Sequence, residues 1–185
     1  MINRITLLLF IGLVFFGCGS SPEQPIWIES EYVDGFGEKT SKVHIKNKNY
    51  FKGRFQDSAT DGSTMNVRIL IDEKDIAFKI YKYGYDVSLR NGGEDGYAII
   101  MKVGDIEFEP VIAKNYHDRL SILPEYYEMV LSIMLQEEPI SVLIKEFGSY
   151  SGYLSQYTFR INIKGFKELY DHSLKWMHGD LKLND

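Results

Sequence analysis

The stretch Tyr157-Thr158-Phe159-Arg160-Ile161-Asn162-Ile163 alternates apolar and polar side chains over its whole length. Strict alternation is typical of a β-strand that buries one face and exposes the other. The apolar face should therefore point into a core, with Phe159 at its centre, while Arg160 points to solvent. The pattern predicts that this strand lies inside a sheet.

A helix is predicted directly after this strand. Its apolar residues recur every three or four positions, and they are Phe166, Leu169, Tyr170, Leu174 and Met177. Gly179 suits the C-terminal cap of such a helix. Because this apolar face needs a surface to cover, we expect the helix to lie over the preceding strand.

Similar alternating segments, separated by turn residues, run through the rest of the chain. They are Lys42–Lys46, Tyr50–Phe55, Met65–Ile71, Ile76–Tyr81, Tyr97–Val103, Ile106–Ile112 and Ile140–Lys145. The residues at 47–49 and 72–75 and the pair Gly104-Asp105 are predicted turns, and the last two join hairpins.

One earlier helix interrupts the strands. Pro124 suits the first turn of a helix, and Pro139 is predicted to end it. Its apolar face consists of Tyr126, Met129, Val130, Ile133 and Met134. Strands with helices only in the C-terminal half predict an α+β domain with mostly antiparallel sheets, either sandwich-like or strongly curved.

The N-terminal segment has the pattern of an export signal. Arg4 precedes the apolar run 5–16, which is shorter than the roughly 20 residues of a membrane-spanning helix. Gly17-Cys18 and small polar residues follow, an order that resembles a bacterial lipoprotein signal. That resemblance implies cleavage before Cys18 and acylation of its thiol. The alternatives are an ordinary thiol in a signal peptide cut elsewhere, and an uncleaved anchor.

These observations predict the division of the chain. Residues 1–17 are the signal peptide, and residues 18–25 are the lipidated cysteine and a flexible tether. A single α+β domain follows at 26–178, with a tail at 179–185. Cys18 is the one cysteine of the chain, so the exported domain must be held together without disulfides.

The composition restricts the classes of partner. The 185 residues carry a net charge of −5, which argues against a nucleic acid partner. It also argues against electrostatic attraction to anionic lipid, so the acyl chains on Cys18 are expected to supply the membrane anchoring.

No motif of catalysis or metal binding is found. The segment 57–68 lacks two ligands of a calcium loop, because Ala59 and Arg68 stand at ligand positions. The four histidines lack metal-ligand spacing and are interpreted as structural or solvated, with His44 half-exposed on a strand. In "GSYSGY" Tyr150 occupies the place of a nucleophilic serine. We therefore expect no catalytic residues, no metal site and no cofactor.

Aromatic residues in loops are the candidate partner-binding sites. In "VDGFGEKT", Val33–Thr40, glycines flank Phe36 next to Asp34. The phenyl ring either contacts a partner or plugs the edge of the sheet at a tight turn, and the second interpretation is preferred because paired glycines suit a sharp bend. Tyr150 and Tyr153 in the loop before the last strand are further candidates.

The order of elements resembles two groups of proteins. Trp27, "VDGFGEKT", "NVRILID", "ISVLIKEF" and "YTFRINIKGF" with a last helix are similar to accessory lipoproteins of the type VI secretion apparatus and to other small exported proteins. The resemblance implies an outer membrane lipoprotein, on the periplasmic side or surface-exposed, that binds an envelope protein.

Two other functions stay open at this stage. One is a module that binds a small ligand, which requires an apolar pocket. The other is a hydrolase, which requires a cleft with convergent polar groups and a perturbed titratable residue.

Overall fold

The computed structural model describes residues 24–56, 62–83, 96–116, 118–146 and 155–179, with side chains as far as Ser173. The predicted signal peptide, Cys18 and most of the tether lie outside these ranges. Tyr150, Tyr153 and residues 180–185 also lie outside them.

Eleven strands and two helices form the described part of the chain. The strands are β1 (Trp27–Val33), β2 (Lys39–Asn47), β3 (Phe51–Gln56), β4 (Ser63–Ile71), β5 (Ile76–Lys82), β6 (Tyr97–Val103), β7 (Ile106–Glu107), β8 (Val111–Tyr116), β9 (Arg119–Ile122), β10 (Ile140–Glu146) and β11 (Gln156–Ile161). A 3-10 turn, Pro124–Tyr126, leads into α1 (Tyr127–Met134), and α2 is Phe166–Gly179. Neither helix has both the length and the apolar character needed to span a membrane, as far as the described residues show.

The strands form one antiparallel sheet that closes on itself. The ring runs β4-β3-β11-β10-β6-β8-β9-β5 and returns to β4 through the β4–β5 hairpin. The β1–β2 hairpin joins this ring at β4, where Ile45 lies opposite Ile71 and Lys46 opposite Leu70. The predicted antiparallel architecture with two helices is confirmed, and the closed, barrel-like sheet is more specific than the sandwich-like or curved forms expected.

The alternation of the strands decides which side chains fill the interior. On β11 the apolar residues are buried and Thr158 and Arg160 are exposed, as predicted. β3 approaches β11 closely at Gly53, because glycine has no side chain. A Cβ placed on Gly53 would lie 2.6 Å from the carbonyl oxygen of Thr158 and 2.9 Å from the Cβ of Phe159. This close approach leaves no gap between the two strands beside Phe159.

The strands differ from the predicted set in three places. β1 and β9 are absent from that set, because β1 carries Glu29 and Glu31 on exposed positions and β9 is only four residues long. The predicted strand 106–112 is two strands, separated by residues 108–110. Pro110 has no N–H to donate to a ladder, so the pairing with β6 breaks there and resumes at Val111.

Helix α2 packs against β1 rather than over β11, where it was expected. The ring of Phe166 lies 5.0 Å from that of Trp27, and Trp27 Nε1 donates to the carbonyl oxygen of Asn162 at 2.9 Å. Ser173 Oγ donates to Glu29 Oε2 at 2.7 Å. The first strand therefore supplies the surface that covers the apolar face of the last helix.

Asn47 holds the β1–β2 hairpin to the ring. It was predicted as a turn residue, but it ends β2 and is fully buried. Its amide Nδ2 donates to the carbonyl oxygens of Asn49 and Val67, and its Oδ1 accepts from the N–H of Ile69 at 2.7 Å. These bonds satisfy backbone groups of β4 at the point where β2 and β3 separate.

Candidate functional site

The turn of the β1–β2 hairpin is ordered by Asp34. Its Oδ1 accepts from the N–H groups of Phe36 at 2.9 Å and Glu38 at 3.0 Å, and its own N–H donates to the carbonyl oxygen of Glu38 at 2.8 Å. Gly37 has a φ of +86°, a conformation in which a residue with a side chain is strained. The predicted tight turn is therefore confirmed.

The phenyl ring of Phe36 does not plug the sheet. The side chain is 94% exposed, so the preferred interpretation of this residue is wrong. Val33, on the strand just before the turn, is also largely exposed. The turn thus presents an apolar tip, Val33 and Phe36, to the surroundings, held in shape by Asp34.

The other predicted site residues have no described surroundings. Cys18, Tyr150 and Tyr153 lie outside the described residues, so lipidation and the contribution of the loop aromatics stay predictions.

A cleft of about 560 Å³ opens between the β1–β2 hairpin, the β4–β5 turn and α2. Residues from four parts of the chain line it, and they are Glu29, Tyr32, Ser41, Lys42, Val43, Asp72, Glu73, Lys74, Asp75 and Ser173. The sequence pattern identifies 72–75 only as a turn. Nothing in the local pattern shows that β1 and α2 approach it.

Asp72 is the centre of the hydrogen bonds in this cleft. Its Oδ2 accepts from the hydroxyl of Tyr32 at 2.6 Å, and its Oδ1 accepts from the N–H groups of Lys74 and Asp75, both at 2.9 Å. Its carbonyl oxygen accepts from the hydroxyl of Tyr127 at 2.7 Å. Burial, together with the bond to Asp72, raises the pKa of Tyr32, so its hydroxyl stays a donor.

Asp75 lies on the other side of the same turn. Its Oδ2 accepts from Ser121 Oγ on β9 at 2.9 Å. Burial raises the pKa of Asp75, although the bond from Ser121 opposes this. A carboxyl group with a raised pKa beside a cleft is a feature of functional sites and also of structural networks. Here the polar groups are bonded to each other, which is typical of a structural network.

His44 is buried next to this network, at 7% exposure, and the half-exposed position expected for it is wrong. The centre of its ring lies 4.5 Å from that of Tyr32, and its Nδ1 has no hydrogen-bond partner among the described residues. Tyr32, on the paired strand β1, donates to Asp72 in the β4–β5 turn, and the alternation of β2 alone does not reveal this approach of the hairpin to the turn. Burial, followed by the charge of Lys46, lowers the pKa of His44.

This lowered pKa predicts loss of stability in mild acid. The unfolded chain binds a proton near pH 6.5, whereas folded His44 resists it, so the free energy of unfolding should fall as the pH drops below 6.5. In His44→Gln this part of the pH dependence should vanish when urea unfolding is measured over a pH series. An unchanged slope in His44→Gln would contradict the assignment.

Comparison with protein-family models, with curated proteins and with solved structures found no match. Within the described ranges, no group of three or more histidine, cysteine or acidic side chains is placed to hold a metal ion. The hairpin tip and the cleft are therefore the two features of the described structure that bear on function.

Proposed function

We propose that this protein is a membrane-anchored lipoprotein of the cell envelope that binds a protein partner through the tip of its β1–β2 hairpin. The observation that carries the proposal is the exposure of Phe36 on a turn held in one conformation by Asp34. A turn whose backbone is already ordered loses little backbone conformational entropy on binding, and aromatic residues are enriched at protein interfaces.

The tip of the hairpin lies beyond its contacts with the ring. In the ladder Ile45 and Lys46 of β2 pair with β4, and Tyr32 of β1 still bonds to Asp72, whereas nearer the tip β1 and β2 pair with each other. Lys39 Nζ and Glu31 Oε2 form an ion pair at 2.7 Å across the two strands below the tip. An exposed apolar tip of this kind is able to enter a groove on another protein without rearranging the strands of the ring.

The partner contact is tested by photo-crosslinking in the native cell. A crosslinking amino acid at position 36 should trap a specific envelope protein. The same amino acid at position 106 is the matched control, because Ile106 is also an exposed apolar residue beside a hairpin turn. Equal capture of the same protein from both positions would contradict a contact specific to Phe36.

The membrane anchor is supported by Gly17-Cys18 after the apolar run. Two or three acyl chains give stable anchoring, because each buried methylene contributes about 0.8 kcal/mol. Cys18→Ser should therefore move the protein from the membrane to the soluble fraction when cells are fractionated. A variant that stays in the membrane as firmly as the wild type would show that another feature is the anchor.

The cleft favours the second candidate, a module that binds a small ligand. Its volume of about 560 Å³ is large enough for one, and Lys42 and Lys74 at its edge are exposed. The hydroxyl of Tyr32 in the cleft is already bonded to Asp72, and the cleft residue Asp75 already accepts from Ser121, which makes a hydrolytic reaction in the cleft the weaker alternative. If Lys42→Gln/Lys74→Gln reproduces the phenotype of cells that lack the protein while crosslinking at position 36 persists, the cleft has a binding role of its own.

A further inference from the structure

The outer surface of the ring is basic although the chain is acidic. At the outward positions of the eight ring strands, the described residues include nine cations and no Asp or Glu. The cations are Lys52, Arg54, Arg68, Lys79, Lys102, Lys114, Arg119, Lys145 and Arg160. The acids that produce the net charge of −5 therefore lie elsewhere.

Some of these cations already have partners. Lys79 and Arg119 both pair with Asp118, and the guanidinium of Arg68 lies 4.2 Å from the centre of the Tyr50 ring. These groups are spread over β4, β5 and β9. They do not form the free part of the basic surface.

The cations of β3, β11, β10 and β6 form a second group, which we call the basic face: Lys52, Arg54, Lys102, Lys145 and Arg160. Arg54, Lys102 and Arg160 are exposed, and none of them has a side-chain hydrogen bond or an ion pair with the described part of the chain. Lys52 donates to the side-chain oxygen of Asn66, a neutral group.

Neutral side chains, two of them with hydroxyl groups, lie between these cations. Ser141 is opposite both Arg160 and Lys102, and Thr158 is opposite Arg54. Two acids border the face: Glu107 on β7 lies opposite Lys102, and Glu146 follows Lys145 at the end of β10. Inside this border the arginine, lysine and hydroxyl groups are hydrogen-bond donors of the kind that bind phosphate oxygens.

The tether enters the domain at one end of this face. Gln24 and Pro25 line the same small cavity as Lys164 and Gly165, which follow β11 shortly after Arg160. From Cys18 to Gln24 the chain reaches at most roughly 25 Å. An acylated Cys18 therefore keeps this end of the basic face close to the bilayer.

We propose that the basic face binds the anionic headgroups of phospholipids in the membrane that anchors the chain. The proposal rests on the lipid anchor proposed above, because only the anchor brings the face to the bilayer. The acidic net charge predicts no attraction to anionic lipid. Net charge, however, is a sum over the whole chain, whereas the strand alternation places cations together on the outer surface of the ring. The β1–β2 hairpin joins the sheet at β4, outside the basic face, and stays available for its partner.

The test uses the lipidated chain purified from cell membranes and reconstituted into phosphatidylcholine vesicles with and without phosphatidylglycerol. A water-soluble acetylating reagent labels exposed lysines, and mass spectrometry measures the rate at each one. Lys52 and Lys145 should label several-fold more slowly on phosphatidylglycerol vesicles at low salt and recover at high salt. Lys42 and Lys74, exposed beside the cleft, should label at the same rate on both.

A matched pair of variants assigns the protection to the face. Arg54→Gln/Arg160→Gln removes two of its charges and should weaken the protection of Lys52 and Lys145, by about fivefold in affinity for each cation removed. Lys42→Gln/Lys74→Gln removes the same charge elsewhere and should leave the protection intact.

Different outcomes separate this proposal from the one on which it rests. A protein that stays on both kinds of vesicle but labels equally on them overturns the role of the basic face alone. A protein that leaves both kinds of vesicle overturns the lipid anchor and this proposal with it. Protection by a single-stranded oligonucleotide, without protection by phosphatidylglycerol, assigns the face to a nucleic acid and also overturns the proposal.

Discussion

Phe159→Ala is expected to lower the free energy of unfolding by about 3–5 kcal/mol, because it removes an aromatic ring from a closely packed interior. Phe159 is 6% exposed, and its ring lies 6.0 Å from that of Phe78 on the opposite side of the sheet interior. β3 is drawn against β11 at Gly53, so the neighbouring backbone has little freedom to collapse into the cavity. A loss of this size is a large share of the stability of a small domain. Urea denaturation measures it.

Arg160→Ala is the control, one residue away on the outer face. Arg160 is exposed and makes no ion pair with the described residues, so we expect a change within about 0.5 kcal/mol. Equal losses for the two variants, or a larger loss for Arg160→Ala, would contradict the assignment of the two faces of β11. The same variant removes one cation of the basic face, so it also separates stability from the proposed binding of anionic lipid.

Asn47→Ala is expected to lower the free energy of unfolding by about 2–5 kcal/mol, because the N–H of Ile69 and the carbonyl oxygen of Val67 lose their buried partner. Asn47→Asp should cost more than Asn47→Ala. A carboxylate would accept from Ile69 but would also face two carbonyl oxygens that require a donor. The ranking of the wild type, Asn47→Ala and Asn47→Asp by free energy of unfolding in urea tests the hydrogen bonds and not only the volume of the side chain.

The control for this series is Asn49→Ala, two residues further along. Asn49 is exposed and contributes its backbone oxygen, which the substitution leaves in place. We expect a change within about 0.5 kcal/mol. A loss in Asn49→Ala comparable to that in Asn47→Ala would show that the local turn, and not the buried amide, holds β2 to β4.

The two variants affect different parts of the proposed function. Phe159 lies in the ring that carries the basic face, so its loss weakens the whole fold. Asn47 lies where the hairpin leaves the ring, so its loss should also disturb the orientation of the hairpin that presents Phe36. Crosslinking at position 36 in a destabilised but folded Asn47 variant should therefore fall further than stability alone predicts.

The sequence by itself determined the strands, hairpins and helices whose periodicity is local. The alternation at 157–163 predicted the buried face of β11, and the turn at 72–75 predicted the β4–β5 hairpin. The apolar spacing after Phe166 predicted α2. These predictions succeeded because a period of two or of three to four depends only on neighbours along the chain. They failed for β1, where exposed acids obscure the alternation, and for β9, which is too short to show it.

Tertiary structure alone decided how these elements meet. The closure of the ring, the covering of α2 by Trp27 on β1 and the burial of His44 all depend on pairs of residues that are far apart in sequence. For the candidate site, the sequence identified the turn at Asp34 but not the exposure of Phe36, because exposure depends on whether another element covers the phenyl group. It also could not reveal the basic face, since the cations of β3, β6, β10 and β11 become neighbours only when those strands pair.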